Sequence, residues 1–134
     1  MSVFIDTSAL YAILDRDDAN HPRAKEAWRA LLARDESLAT SNYVVLEATA
    51  LVQHRLGMKA VAVLTREVLP VMAIEWVSEA DHREATAALL AAGKRRLSLV
   101  DSVSFVLMRR LGIESAFAFD PDFEVEGFTP VAPR

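Results

Sequence analysis

Val3-Phe4-Ile5-Asp6-Thr7-Ser8-Ala9-Leu10 is the stretch from which the architecture is read. Three consecutive apolar, β-prone residues suit a strand buried on both faces. Asp6 closes the strand. Thr7-Ser8 can cap a short helix, Ala9 to Leu14. A buried strand turning at once into a helix is the opening of an α/β unit.

The rest of the chain repeats this alternation. Asp15 to Asn20 is a polar loop, and His21-Pro22 opens a helix to Ala33, with Pro tolerated in the first turn. Ala24, Ala27, Trp28, Leu31 and Leu32 form its apolar face. Leu38 to Thr40 is the second strand. Ser41 or Asn42 caps a helix from Tyr43 to Leu56, ended by Gly57. A further helix spans Lys59 to Leu69 and stops at Pro70. Met72 to Val77 is a third strand, and a helix from Ser78 reaches Ala92. A basic connector, Gly93 to Leu97, leads to a helix from Ser98 to Leu111, closed by Gly112. Ala116 to Phe119 is a fourth strand, Asp120-Pro121-Asp122 a turn, and Phe128 to Val131 a last short strand before a Pro-containing tail. The pattern predicts one α/β domain, residues 1–134, on a mostly parallel sheet with helices on both faces. Ligands of such sheets sit at the carboxyl ends of the strands.

Composition narrows the chemistry. The 134 residues carry 19 acids, 15 bases, three His and no Cys, for a formal charge of −4. Disulfides, Cys-based zinc sites, iron–sulfur clusters and thiol nucleophiles are excluded. The spacing of His21, His54 and His82 excludes compact histidine metal motifs. No basic field covers the chain, so nucleic-acid contacts would have to be local. The N-terminal stretch is a poor signal peptide, and the longest uncharged run, Ser37 to Leu46, is too short to span a bilayer. These features predict a cytoplasmic protein with no membrane association.

Most acids lie in mixed-charge stretches, but a few stand apart. Asp6 and Asp120 each follow an apolar strand. Glu47 is the only charge between Tyr43 and Gln53, and Asp101 the only one between Leu97 and Met108. Each has an ordinary alternative: helix cap, exposed stripe, first-turn carboxylate or turn initiator. Together, in a parallel sheet, all four can converge on one rim. Clustered carboxylates hold their protons unless a cation neutralises them. Oxygen-only ligands select Mg2+ or Mn2+ over zinc. Such ions lower the pKa of water and clamp phosphoryl oxygens, as phosphodiester hydrolysis requires.

At these residues the sequence resembles the PIN-domain family, and within it the VapC-type toxins of bacterial toxin–antitoxin pairs. Val-Phe-Ile-Asp-Thr-Ser-Ala-Leu, Thr-Ser-Asn-Tyr-Val-Val-Leu-Glu, Leu-Ser-Leu-Val-Asp-Ser-Val-Ser-Phe and Ala-Phe-Ala-Phe-Asp-Pro-Asp-Phe resemble its four acidic motifs, in order, over residues 3 to 128. The resemblance implies an α/β/α sandwich around a parallel sheet of order 3-2-1-4-5. It also implies metal-dependent endoribonuclease activity, a homodimer and a cognate antitoxin. Asp6, Glu47 and Asp101 match the core acidic positions and would anchor Mg2+ or Mn2+, with Asp120 supporting that ion or a second. Thr7, Ser8 and Ser102 match hydroxyls near the metal or its waters. Ala118 departs from the Ser or Thr common two residues before the fourth acid. Asp122 is an additional candidate ligand.

Lys94-Arg95-Arg96, five residues before Asp101, is the densest basic run and a candidate phosphate contact. Arg109-Arg110 suits a helix C-terminus instead. Trp28, Tyr43, Trp76, Phe105 and Phe117 read as core or interface, not as base-stacking groups. A receiver-like phosphoacceptor would need an acidic pair at the first strand and a Lys after the last. A DxDxT phosphatase fails because residue 8 is Ser. A PIN-like module that binds metal and a partner without cutting RNA is the remaining alternative.

Overall fold

The computed structural model describes residues 2–131, so the Pro-containing tail beyond Val131 lies outside the described residues. Five strands form one sheet: β1 (Ser2–Ile5), β2 (Ser37–Ser41), β3 (Ala73–Glu75), β4 (Ser115–Phe117) and β5 (Thr129–Pro130). Their order is β3-β2-β1-β4-β5, and every neighbouring pair is parallel. This is the order that the family resemblance implies. Val3 pairs with Leu38 on one side and Ser115 on the other, which makes β1 the central strand. Phe4 and Ile5 are accordingly fully buried, the reason for an apolar run without alternation.

Helices α1 (Thr7–Leu14), α2 (His21–Ala33), α3 (Asn42–Leu56), α4 (Met58–Val63), α5 (Glu79–Ala92), α6 (Leu99–Leu111) and α7 (Asp122–Val125) flank the sheet. The main core joins β1, β2 and β4 to α1, α3 and part of α6. A second cluster of Ala85, Val103, Val106 and Leu107 fastens α5 to α6. The chain leaves β1 for β2 and β3, then returns to β4 on the opposite side of β1. The strand order reverses there, at the carboxyl ends of β1 and β4, the place where ligands of such sheets bind. The Asp6 N–H donates to the Phe117 carbonyl at 3.0 Å, which places Asp6 at that point.

Four expectations need correction. The helix expected over 59–69 is α4, then a π-helical turn (Leu64–Val68) and a 3-10 turn (Leu69–Val71). Pro70 cannot donate and its ring crowds the preceding turn, so the ladder widens and the Leu69 N–H reaches Leu64. The third strand is Ala73–Glu75, shorter than 72–77. The fourth ends at Phe117, not Phe119, so two residues of coil separate it from Asp120. Asp122 begins α7, where only a turn was expected. Trp76, read as core or interface, lies 74% exposed, outside the core.

Candidate active site

Asp6 is both the helix cap and the centre of the site. It caps α1 from extended backbone, and its carboxylate accepts from the Ser8 N–H at 3.1 Å and the Ser8 hydroxyl at 2.7 Å. The residue is only 4% exposed. Burial pushes its pKa from 3.8 up to about 7; the Ser8 hydrogen bonds oppose the shift, and the charges of Asp101 and Glu47 add to it.

Asp101 likewise keeps its structural role. It occupies the third position of α6 and completes a capping box with Ser98: its N–H donates to the Ser98 hydroxyl at 3.0 Å, and its carboxylate accepts from the Ser98 N–H at 3.4 Å. Its pKa rises to about 6, first through burial and then through the charges of Asp120 and Glu47, against the Ser98 hydrogen bonds.

Glu47 projects from α3, one of the few charges on a helix whose Val44, Ala48 and Val52 are fully buried. It is half-buried, where an ordinary exposed stripe would leave it open to solvent. Asp120 accepts from the Asp122 N–H at 2.9 Å, a local turn that aims both side chains. One carboxylate oxygen each from Asp101, Asp120 and Asp122 lie within 4.8 Å of one another. Asp122 is therefore in the compact acidic group. Asp6 and Glu47 border it closely enough to shift the protonation of Asp6 and Asp101.

The hydroxyls divide. Ser8 Oγ donates to Asp6 and accepts from the Phe119 N–H at 2.9 Å, so it braces α1 against the loop carrying Asp120. Thr7 Oγ1 is buried without a hydrogen-bond partner among the described residues. An orphan hydroxyl beside Asp6 is what a site shaped for a further polar ligand leaves behind. Ser102 departs from its expected place near a metal: its hydroxyl donates to the Ala85 carbonyl at 2.7 Å and locks α6 to α5. It faces the helix pair because residue 102 lies about 100° round α6 from residue 101.

All donors here are oxygens, and burial with neighbouring carboxylates raises the pKa of Asp6 to about 7 and of Asp101 to about 6. The residues fit a hard divalent cation.

Lys94, Arg95 and Arg96 are exposed on the loop between α5 and α6. Lys94 shares a small depression with Asp122 and Phe105, so the basic loop borders the acids. Arg110 is drawn away into a two-point pair with Asp81, at 3.0 and 3.2 Å. Arg109 lies 5.3 Å from the Phe128 ring centre and 3.7 Å from the Glu126 carboxylate. Two residues were missed as site neighbours. Arg23 of α2 sits 5.4 Å from the Phe119 ring centre and brings a cation to the loop before Asp120. Tyr43, read as core or interface, is half-buried and lines a pocket with Glu47. Its position four residues before Glu47, on the same helix face, was the available signal.

A parallel sheet of this order, with acids from two motifs gathered at its switch point and those of the other two bordering them, defines a PIN domain. The PIN domain family matches residues 3–127, and the chain belongs to it. Over 133 residues the chain is 36% identical to the 23S rRNA-specific endonuclease VapC20 of Mycobacterium tuberculosis, covering 98% of this chain and 99% of that protein. The crystal structure of VapC20, described as a Sarcin-Ricin loop cleaving toxin, superposes with a TM-score of 0.87 at 34% identity, covering 98% of this chain and 99% of that one. FitAcB from Neisseria gonorrhoeae shares the fold alone, with a TM-score of 0.69 at 17% identity over 96% of this chain and 95% of that one. No helix among the described residues is long and apolar enough to cross a membrane.

Proposed function

We propose that the chain is a divalent-cation-dependent endoribonuclease, the toxin of a toxin–antitoxin pair, with one domain over residues 1–134 carrying the activity in the cytoplasm. The observation that carries this reading is the gathering of Asp101, Asp120 and Asp122 carboxylate oxygens within 4.8 Å of one another, with Asp6 and Glu47 beside them, at the switch point. Mg2+ or Mn2+ would be held by Asp6, Glu47, Asp101 and Asp120, with Asp122 in reach. When bound, such an ion lowers the pKa of water and offsets charge developing on the phosphate.

The chain's own residues do the rest. Ser8 and Ser98 aim the Asp6 and Asp101 carboxylates through hydrogen bonds. Lys94, Arg95 and Arg96 are placed to contact RNA phosphates flanking the acids, and Arg23 adds a second cation near Asp120. VapC20 supports ribosomal RNA as the first substrate to try. The antitoxin is a cognate protein, and the working unit is a homodimer. Trp76 supports the dimer: it is 74% exposed and lines an apolar hollow of about 400 Å³ with Val45 and Ile74.

Purified chain incubated with 23S rRNA and Mn2+ or Mg2+ should produce discrete cleavage ends. EDTA should abolish them, and so should Asp6→Asn, which keeps the helix cap. Cleavage that survives either treatment overturns the assignment. Cation binding without cleavage of several RNAs would identify an interaction module instead.

A further inference from the structure

The geometry points to a nucleobase-binding pocket beside the acidic centre, formed by Tyr43, Leu46 and Val100 with Glu47 at its edge. This rests on the ribonuclease reading and adds a subsite to it.

The pocket has a volume of about 160 Å³ and opens to solvent. A protein cavity of roughly 150 Å³ accepts one benzene ring, so this space suits a single ring system and not a length of polypeptide. Its walls are apolar except for Glu47. Tyr43 and Glu47 stand one turn apart on α3, and Val100 directly precedes Asp101 on α6. The pocket therefore shares two walls with the acid cluster. A phosphate held at the acids leaves the base of an adjoining nucleotide within reach of it.

Tyr43 is suited to stack that base because its ring is fixed in advance. Its hydroxyl hydrogen-bonds His82 Nδ1 at 2.6 Å, and the two rings meet edge to face at 5.8 Å. The residue also packs on the cluster between α5 and α6. A ring already held loses little freedom on binding. Stacking on an aromatic face is tolerant of base identity, so the pocket would hold a nucleotide in register and leave sequence choice elsewhere.

The test compares binding of a short oligouridylate with its abasic ribose-phosphate counterpart, in an Asp101→Asn background that prevents cleavage. The background protein should bind oligouridylate more tightly. Adding Tyr43→Ala should weaken oligouridylate binding by roughly 5- to 150-fold, the range for losing one stacked base, and leave abasic binding unchanged. Tyr43→Phe keeps the ring and should keep the discrimination. If Tyr43→Ala still distinguishes the two oligonucleotides, or Tyr43→Phe loses the distinction equally, the pocket is overturned while the ribonuclease reading stands. Failure of the background protein to bind either RNA overturns both. Sedimentation of the same proteins supplies the last arm: a dimer that Tyr43→Ala converts to monomer would assign the pocket to the interface between copies and overturn the proposal.

Discussion

Asp6 holds a proton that the same residue gives up when the chain unfolds. Its folded pKa of about 7 stands above the ordinary 3.8, so burial costs nothing below about pH 4 and its full amount above about pH 7. Asp101, at about 6, acts in the same direction. Stability from these two groups is therefore lost as pH rises, the reverse of a carboxylate held in a salt bridge. Without cation, Asp6→Asn should melt above the parent at neutral and higher pH, and the gap should close on acidification. Mn2+ should raise the melting temperature of the parent and have little effect on the variant. A pH-independent gap in thermal melts would contradict the burial argument. The sequence showed which carboxylates were unusual, because a lone charge in an apolar segment is visible in one dimension. It could not show that capping and clustering coexist. Asp6 and Asp101 each satisfy the ordinary reading through Ser8 and Ser98, and the uncommon one through each other.

Helices set the direction of each of these side chains. Ser98→Ala removes the cap of α6 and should lower stability by about 1 kcal/mol in denaturant titrations. Cleavage should fall as well, because Asp101 loses a partner in its capping box. Ser102→Ala should separate these effects. It leaves the Ala85 carbonyl without its hydroxyl donor, at a cost of about 1–3 kcal/mol, yet cleavage per folded molecule should be unchanged. A collapse of activity with normal stability would return Ser102 to the site. Spacing along the chain placed the helices well, but the rotation of α6 decides which hydroxyl meets α5, and that depends on packing. The π-helical turn at Leu64–Val68 escaped for a similar reason: Pro70 announces a disruption without saying how the preceding turn absorbs it.

At the scale of the molecule, the proposed function requires a net-negative protein to engage RNA, which a basic loop bordering the acidic pocket would allow. Charge reversal at Arg95 and Arg96 should weaken RNA binding and flatten its dependence on salt, as measured by titration at several ionic strengths. Unchanged affinity and slope would remove the loop from the interface. Trp76→Glu should shift the protein to monomer in sedimentation, since it places charge in an exposed apolar hollow. The alternation of strands and helices made the α/β class readable, and the four motifs carried the strand order by family likeness. The short edge elements were harder. α7 and β5 together hold only six residues, too few for a periodicity to develop.

The Ser8 hydroxyl joins Asp6 to the Phe119 backbone across 111 residues of chain. During translation, β1 has one open edge until residues 115–117 leave the ribosome, and the brace from Ser8 must wait two residues longer. Asp120 follows only then. The pocket is thus completed only after residues 115–120 have been made. A growing chain that has reached only α6, still tethered beside the RNA of its own ribosome, lacks both the brace and the fourth acid and stays an unfinished nuclease.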